Sequence, residues 1–235
     1  MKVSIVVPTY NESLRIGASL HKIEDYLNKN KFDYEIIVVD DGSTDKTALI
    51  VKKFKNSKVK LISYASNRGK GYAVKQGMLA ATHDWILFTD ADLATPMEEL
   101  ENFLKFQNYD VLIGSRAMKD SKILIHQPWY RELGGKIINF FVRFTALPGI
   151  KDTQCGFKLF RKAAAQAIFP KQTINGFGFD IEILYIARKK GFKIKELPIQ
   201  WSNNPDTKVK PLKDGLRILI DLAKIRLNDL RGVYD

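Results

Sequence analysis

A chain of 235 residues with 45% hydrophobic residues is long enough to bury one full core. Its single cysteine, Cys155, excludes an internal disulfide framework and a cysteine-rich zinc site, and it suits a reducing compartment. The net charge of +12 is uneven: 17 Lys and Arg face 16 Asp and Glu in residues 1–120, against 21 and 10 in residues 121–235. The second half is therefore directed either at something anionic (a phosphate, a membrane surface, nucleic acid) or at solvent as a lysine-rich face.

The chain opens Met1-Lys2-Val3 and runs straight into an apolar stretch, so no secretory leader is expected. No apolar run approaches the roughly 18 residues that a membrane-spanning helix requires. Short apolar, β-branched strands are predicted at Val3–Val7, Tyr34–Val39, Val59–Ser63, Trp85–Phe88 and Val111–Gly114. Helices are predicted between them at Glu12–Asn28, Asp45–Phe54, Gly71–Ala81 and Pro96–Phe106. Ser43-Thr44-Asp45 reads as a helix start. Thr95-Pro96-Met97-Glu98 reads as another, with Pro in the first helical position and acids in the first turn. Alternating strands and helices, with strands apolar throughout, predict an α/β fold whose central sheet is mostly parallel and covered by helices on both faces. Ligands of such sheets bind beyond the carboxyl ends of the strands.

Those ends carry Pro8-Thr9-Tyr10-Asn11-Glu12, Val39-Asp40-Asp41-Gly42-Ser43 and Thr89-Asp90-Ala91-Asp92. Asp90 and Asp92, two apart in extended chain, face one side. Their mutual repulsion favours a cation between them, and Mg²⁺ or Mn²⁺ suits an all-oxygen site shared with a substrate's phosphates. Two solvated loop acids are the plain alternative. Asp40 and Asp41 point apart, one toward a base or ribose and the other toward solvent or the next helix; a simple turn would also explain them. In Asn67-Arg68-Gly69-Lys70-Gly71 the glycines are expected to let the backbone approach a ligand while Arg68 and Lys70 offer charge to a diphosphate. Gly69-x-Gly71 faintly echoes a dinucleotide fingerprint, but the third small position is Val74 and the strand before it is the third, not the first.

In order, Pro8-Thr9-Tyr10-Asn11-Glu12, Val39-Asp40-Asp41-Gly42-Ser43, Asn67-x-Gly69-Lys70-Gly71 and Asp90-Ala91-Asp92 resemble glycosyltransferase family 2, of GT-A fold. Gly114-Ser115-Arg116 and Asp152-Thr153-Gln154-Cys155-Gly156-Phe157-Lys158 resemble its dolichyl- or polyprenyl-phosphate sugar synthase branch, the dolichyl-phosphate β-glucosyltransferases in particular. The likeness runs from Lys2 to about Trp201. It implies one transferase domain over residues 1–235, with a nucleotide-sugar half (1–120) and an acceptor half (121–235). Pro8, Thr9, Tyr10, Asn11, Glu12, Asp40, Asp41, Asn67, Lys70 and Gly71 would hold the nucleotide, with Asp90, Ala91 and Asp92 on the diphosphate and metal. Arg116, Arg131 and Lys136 would meet the acceptor phosphate, and Asp152, Gln154 and Lys158 would line the reaction centre, with Lys158 a further candidate for the phosphate. Asp180 would be the base, if one is needed, or else a helix cap. Ala94 stands where the mannosyl-phosphate branch carries a metal-assisting Gln, and Asp152-Thr153-Gln154-Cys155-Gly156 replaces its Asp-Pro-x-Ser-Gly; both favour glucose over mannose.

The resemblance thus implies inverting transfer of a hexose from a UDP-sugar to polyprenyl or dolichyl phosphate at the cytoplasmic face of a membrane, the protein being peripheral. A GDP-mannose donor, a soluble enzyme acting on hydroxyl acceptors, and a binding protein without turnover are the alternatives. Two amphipathic stretches fit a membrane interface or the protein's own core. Near 129–147 the apolar stripe is Leu133, Ile137, Phe140, Phe141, Phe144 and Leu147. Near 212–231 it is Leu212, Leu216, Leu219, Ala223, Leu227 and Leu230. No nucleic-acid recognition motif accompanies the basic residues.

Overall fold

The computed structural model describes residues 1–203 and 211–235, without the side chains of 129–133, 136 and 211–214. The first half follows the expected alternation: β1 (Lys2–Thr9), α1 (Ile16–Lys29), β2 (Asp33–Asp40), α2 (Thr47–Lys52), β3 (Val59–Ser63), α3 (Lys70–Ala80), β4 (Trp85–Thr89), α4 (Glu99–Leu104) and β5 (Val111–Ser115). The second half adds β6 (Lys122–Ile125), α5 (Trp129–Thr145), β7 (Phe157–Arg161), α6 (Lys162–Ile168), α7 (Phe179–Lys189), β8 (Ile194–Pro198), β9 (Gln200–Ser202) and α8 (Pro211–Leu230).

The main sheet has the order β3-β2-β1-β4-β7-β5-β8. β1 pairs parallel with β2 and β4, β2 with β3, and β5 with β8. β7 is inserted between β4 and β5, antiparallel to both. Six strands therefore end on one edge, and the reversed strand begins there: Phe157 lies opposite Thr89. This insertion brings residues 152–158 to the strand ends of the first half. β6 and β9 form a separate parallel pair.

Two apolar layers cover the sheet. One face gathers Ile5, Val7, Leu87, Leu112, Phe157 and Leu159 with α1 and α4; the other gathers Val6, Val39, Phe88, Ile113 and Phe160 with α3, α6 and α7. Two helix starts differ from expectation. α4 begins at Glu99, one turn after Pro96, whose carbonyl accepts the Glu99 amide at 3.2 Å. α2 begins at Thr47, with Lys46 as its N-cap residue, and the Asp45 carboxylate before it accepts the Thr47 amide at 2.9 Å.

The two amphipathic helices pack on each other, Gly215 of α8 lying against Ile138 of α5. α8 turns a different stripe inward from the one anticipated. Ile218, Leu222 and Ile225 enter the core, while Leu216, Leu219, Ala223, Leu227 and Leu230 stay outside with Ile220. α5 buries Val142, and Ala146 and Leu147 just beyond it, but exposes Ile137, Phe140, Phe141 and Phe144. The side chains of Leu133 and Leu212 lie outside the described residues. Among the described residues no helix is long and apolar enough to cross a membrane.

Candidate functional site

The site follows from the shared edge. β4 ends at Thr89, and the chain turns through Asp90-Ala91-Asp92, with Leu93 in a left-handed conformation at φ 49°. The Asp90 amide donates to the Gly156 carbonyl at 3.2 Å. A Cβ on Gly156 would fall 2.0 Å from Asp90 Oδ2, so any larger residue here would displace that carboxylate. Lys70, at the start of α3, donates to Asp90 Oδ1 at 2.8 Å. Burial pulls the Lys70 ammonium down, but Asp90 and Asp180 more than offset this and raise it. Burial, then the charge of Asp90, raises the Asp92 carboxyl; its Oδ1 accepts the Ala94 amide at 3.1 Å. Ala91 serves the scaffold, its carbonyl accepting the Ser19 hydroxyl at 2.6 Å.

Lys158 occupies a core position in β7, opposite Phe88 and Ile113, and is fully buried. Its ammonium donates to the Cys155 carbonyl at 2.6 Å and to the carboxylate of Asp180. Buried in this pair, it meets the site through Asp180; as found it is not an exposed cation for a phosphate. Asp180 lies in the first turn of α7, and the N-cap residue is Gly178, so the capping alternative for Asp180 does not hold. Burial pushes the Asp180 carboxyl up against the pull of Lys158 and Lys70.

Arg116 follows β5. Its Nε and Nη2 donate to Asp152 at 2.7 and 2.9 Å, and its amide to Asp152 Oδ2 at 3.0 Å. Asp152 is buried, yet Arg116 overcomes the burial penalty and holds its carboxyl low. Glu196 of β8, which the sequence reading missed, supports the pair from below by accepting the Asp152 amide at 2.7 Å. The Gln154 amide donates to Asp152 Oδ1 at 3.2 Å. Arg116 itself remains 30% exposed, its guanidinium 5.4 Å from the Trp201 ring centre. The side chains of Arg131 and Lys136 lie outside the described residues. Burial pushes the Cys155 thiol up to about 12, so it is no nucleophile at neutral pH.

On the nucleotide side, Asp40 and Asp41 are both buried, so neither faces solvent. Asp40 accepts the Ser63 hydroxyl at 3.1 Å, and its buried Oδ1 has no partner among the described residues. Asp41 builds the loop before α3, accepting the Arg68 and Gly69 amides at 2.8 and 2.9 Å and the Asn67 side-chain amide at 2.8 Å. Asn67 is thereby drawn into the scaffold. The protein's own packing requires Gly69 and Gly71 to be small. A Cβ on Gly69 would meet the Asn175 carbonyl at 2.3 Å, and one on Gly71 the Ile174 carbonyl and Phe179 Cβ at 2.6 Å. Their smallness lets α3 dock against the start of α7. Pro8 and Thr9 end β1, where the Thr9 hydroxyl donates to the Val39 carbonyl at 3.3 Å. Tyr10, Asn11 and Glu12 follow, half-buried; Asn11 binds the Thr44 amide at 2.8 Å, and Glu12 pairs with Arg15 at 2.7 Å.

A mostly parallel sheet with one reversed strand, and an Asp-x-Asp at the end of β4, define a glycosyltransferase of the GT-A fold. The chain belongs to glycosyl transferase family 2, whose family model matches residues 4–169. It is 35% identical to the dolichyl-phosphate beta-glucosyltransferase of Dictyostelium discoideum over 99% of this chain and 76% of the relative. It is equally identical to that of Homo sapiens, over 99% of this chain and 77% of the relative. A solved structure of glucosyl-3-phosphoglycerate synthase from Mycobacterium tuberculosis, with Mn²⁺, UDP and glucosyl-3-phosphoglycerate, matches 95% of this chain and 79% of its own with a TM-score of 0.70 at 19% identity. That likeness concerns the fold.

Proposed function

We propose that this glycosyltransferase moves glucose from UDP-glucose to a dolichyl or other polyprenyl phosphate, with inversion at the anomeric carbon, on the cytoplasmic face of a membrane. One observation carries the reading. β7 sets Gly156 against Asp90, so the donor-side acids and the acceptor-side Arg116 stand on one edge of the sheet. The names of the relatives supply the sugar and the lipid class.

Asp40, with Pro8, Tyr10, Asn11 and Glu12 nearby, would hold the nucleoside. A donor from the base or ribose would satisfy Asp40 Oδ1, which otherwise costs about 1–3 kcal/mol as a buried acceptor without a partner. Asp90 and Asp92 offer carboxylate oxygens that suit Mg²⁺ or Mn²⁺. Among the described residues no third His, Cys, Asp or Glu joins them in a metal-binding group, so diphosphate and water would complete the shell. Such an ion would stabilise the negative charge that grows on the departing diphosphate.

The acceptor phosphate is already anionic at neutral pH, so no strong base is needed. One of its oxygens forms a bond to the anomeric carbon from the face opposite UDP while the bond from that carbon to UDP breaks. UDP leaves with the electron pair, and no proton need move. Arg116 would orient the attacking phosphate, and Asp152 holds that guanidinium in place through two hydrogen bonds. Asp180, held by Lys158, would accept hydrogen bonds from the sugar hydroxyls. The outward apolar residues of α5 and α8, with exposed Arg143, Arg217, Lys224 and Arg231 beside them, suit a seat on an anionic lipid surface.

The test is transfer of label from UDP-[³H]glucose to a polyprenyl phosphate in detergent with Mg²⁺ or Mn²⁺. Wild type should carry label into the organic phase, while Asp92→Ala and GDP-mannose should not. Binding of UDP-glucose without transfer would overturn the lipid acceptor; preferential transfer from GDP-mannose would overturn the donor.

A further inference from the structure

Helix α7 carries Asp180 in its first turn, yet its N-cap residue, Gly178, has no side chain with which to cap. A carboxylate from another helix, that of Asp221 in α8, stands against the Gly178 backbone instead. The approach is close: a Cβ on Gly178 would lie 2.4 Å from Asp221 Oδ2 and 2.6 Å from Asp221 Cβ. A carboxylate suits this place, because the start of a helix presents unpaired amides and a partial positive charge. The neighbours of Asp221 show how α8 is oriented. Ile220 is 68% exposed on the outer side, whereas Leu222 is buried. One helix thus touches α7 with Asp221 and turns its apolar stripe outward.

We propose that Asp221 is a positioning residue: by standing against the Gly178 backbone it fixes the first turn of α7, and with it the place of the Asp180 carboxylate against Lys158 and Lys70. The outward-facing helix is thereby tied to the reaction centre. This rests on the reading above that Asp180 meets the sugar. The lever is short, since Asp180 stands two residues beyond Gly178. Its partner is fixed independently, because Lys158 is anchored on β7 by the Cys155 carbonyl at 2.6 Å. A shift at the start of α7 therefore moves Asp180 relative to a stationary ammonium, and misplacement by about 1 Å can cost about 100-fold in rate.

The test compares Asp221→Asn, Asp221→Ala and Gly178→Ala in the full chain. Asn keeps the size and one oxygen of this side chain, so its kcat should stay within about twofold of wild type. Asp221→Ala should lower kcat by about 10- to 100-fold per folded molecule while leaving KM for UDP-glucose within about threefold. Gly178→Ala displaces the same carboxylate and should act alike, and the double variant should be no worse than either single one. Hydrogen exchange at residues 176–181 should quicken in both Ala variants and not in Asn. A role in stability alone would lower the folded fraction without changing kcat per folded molecule, and that result overturns the proposal. So would unchanged exchange in Asp221→Ala, or additive losses in the double variant. If Asp221→Ala does not fold, Gly178→Ala and Asp221→Asn decide by the same readouts. If wild type shows no transfer, the proposed function fails, while the exchange measurement still judges the link between Asp221 and α7.

Discussion

Lys158 and Asp180 form a buried ion pair that tolerates little change. An ammonium with no exposed surface stands in the middle of a central strand, and one carboxylate and one carbonyl hold it. Removing one member of such a pair leaves the other charged and unpaired, which typically costs about 3–5 kcal/mol, whereas removing both is far milder. Urea unfolding of Lys158→Met should show that loss, and Lys158→Met/Asp180→Asn should recover much of it. Recovered stability would come without activity, if Asp180 meets the sugar. Gly156 makes the opposite prediction. Its missing Cβ is the space that Asp90 occupies, so Gly156→Ala should displace the carboxylate. Mn²⁺ binding, followed by electron paramagnetic resonance, should weaken at least tenfold, with a stability change of about 1–3 kcal/mol. Unchanged Mn²⁺ affinity would show that Asp90 is no ligand. The acids at the strand ends were legible because a parallel sheet delivers its carboxyl ends to one edge. The roles of Asp41 and the two glycines of 69–71 were not, because a carboxylate that builds a loop and one that binds a ligand look the same in one dimension.

Among the elements, α8 shows where periodicity stops being informative. Its sequence carries two apolar stripes, Ile218-Leu222-Ile225 and Leu216-Leu219-Ala223-Leu227-Leu230. Both fit a helical repeat, and only the tertiary contacts decide that the first is buried. β7 escaped for a similar reason, since Lys158 interrupts the apolar run that marks a central strand. The exposed stripe leads to a direct expectation. Leu216→Glu/Ile220→Glu should leave the unfolding free energy within about 0.5 kcal/mol of wild type, as these side chains are 65% and 68% exposed. The same variant should lose co-sedimentation with vesicles containing anionic lipid; retained sedimentation would place the membrane contact elsewhere. At the far edge of the sheet, Glu35 of β2 accepts from the Ser4 hydroxyl, the Thr82 amide and the Lys60 ammonium, each at 2.7 Å. Burial alone would raise its carboxyl, but these donors win and hold it well below the usual range. A lowered pKa stabilises the fold above the ordinary glutamate value of about 4.3 and loses that contribution as pH falls below it. Glu35→Gln should therefore cost about 1–3 kcal/mol at pH 7, less at pH 3, and nothing in kcat.

On the scale of the whole molecule, the chain is divided electrostatically. The first half is nearly neutral and the second strongly basic. If the basic half meets lipid phosphate, vesicle binding should weaken steeply between about 50 and 500 mM salt while UDP-glucose binding changes little, because only the former sums many exposed charges. The reversed strand has a consequence for how the enzyme comes to exist at all. β7 lies between β4 and β5, although both precede it in the chain. The first four strands can pair as they emerge, but β5 has no place beside them until β7 arrives to bridge the gap. Closing such distant contacts is slow. Asp90 meets Gly156 only at that step, so the two halves of the candidate site come together only once β7 is in place.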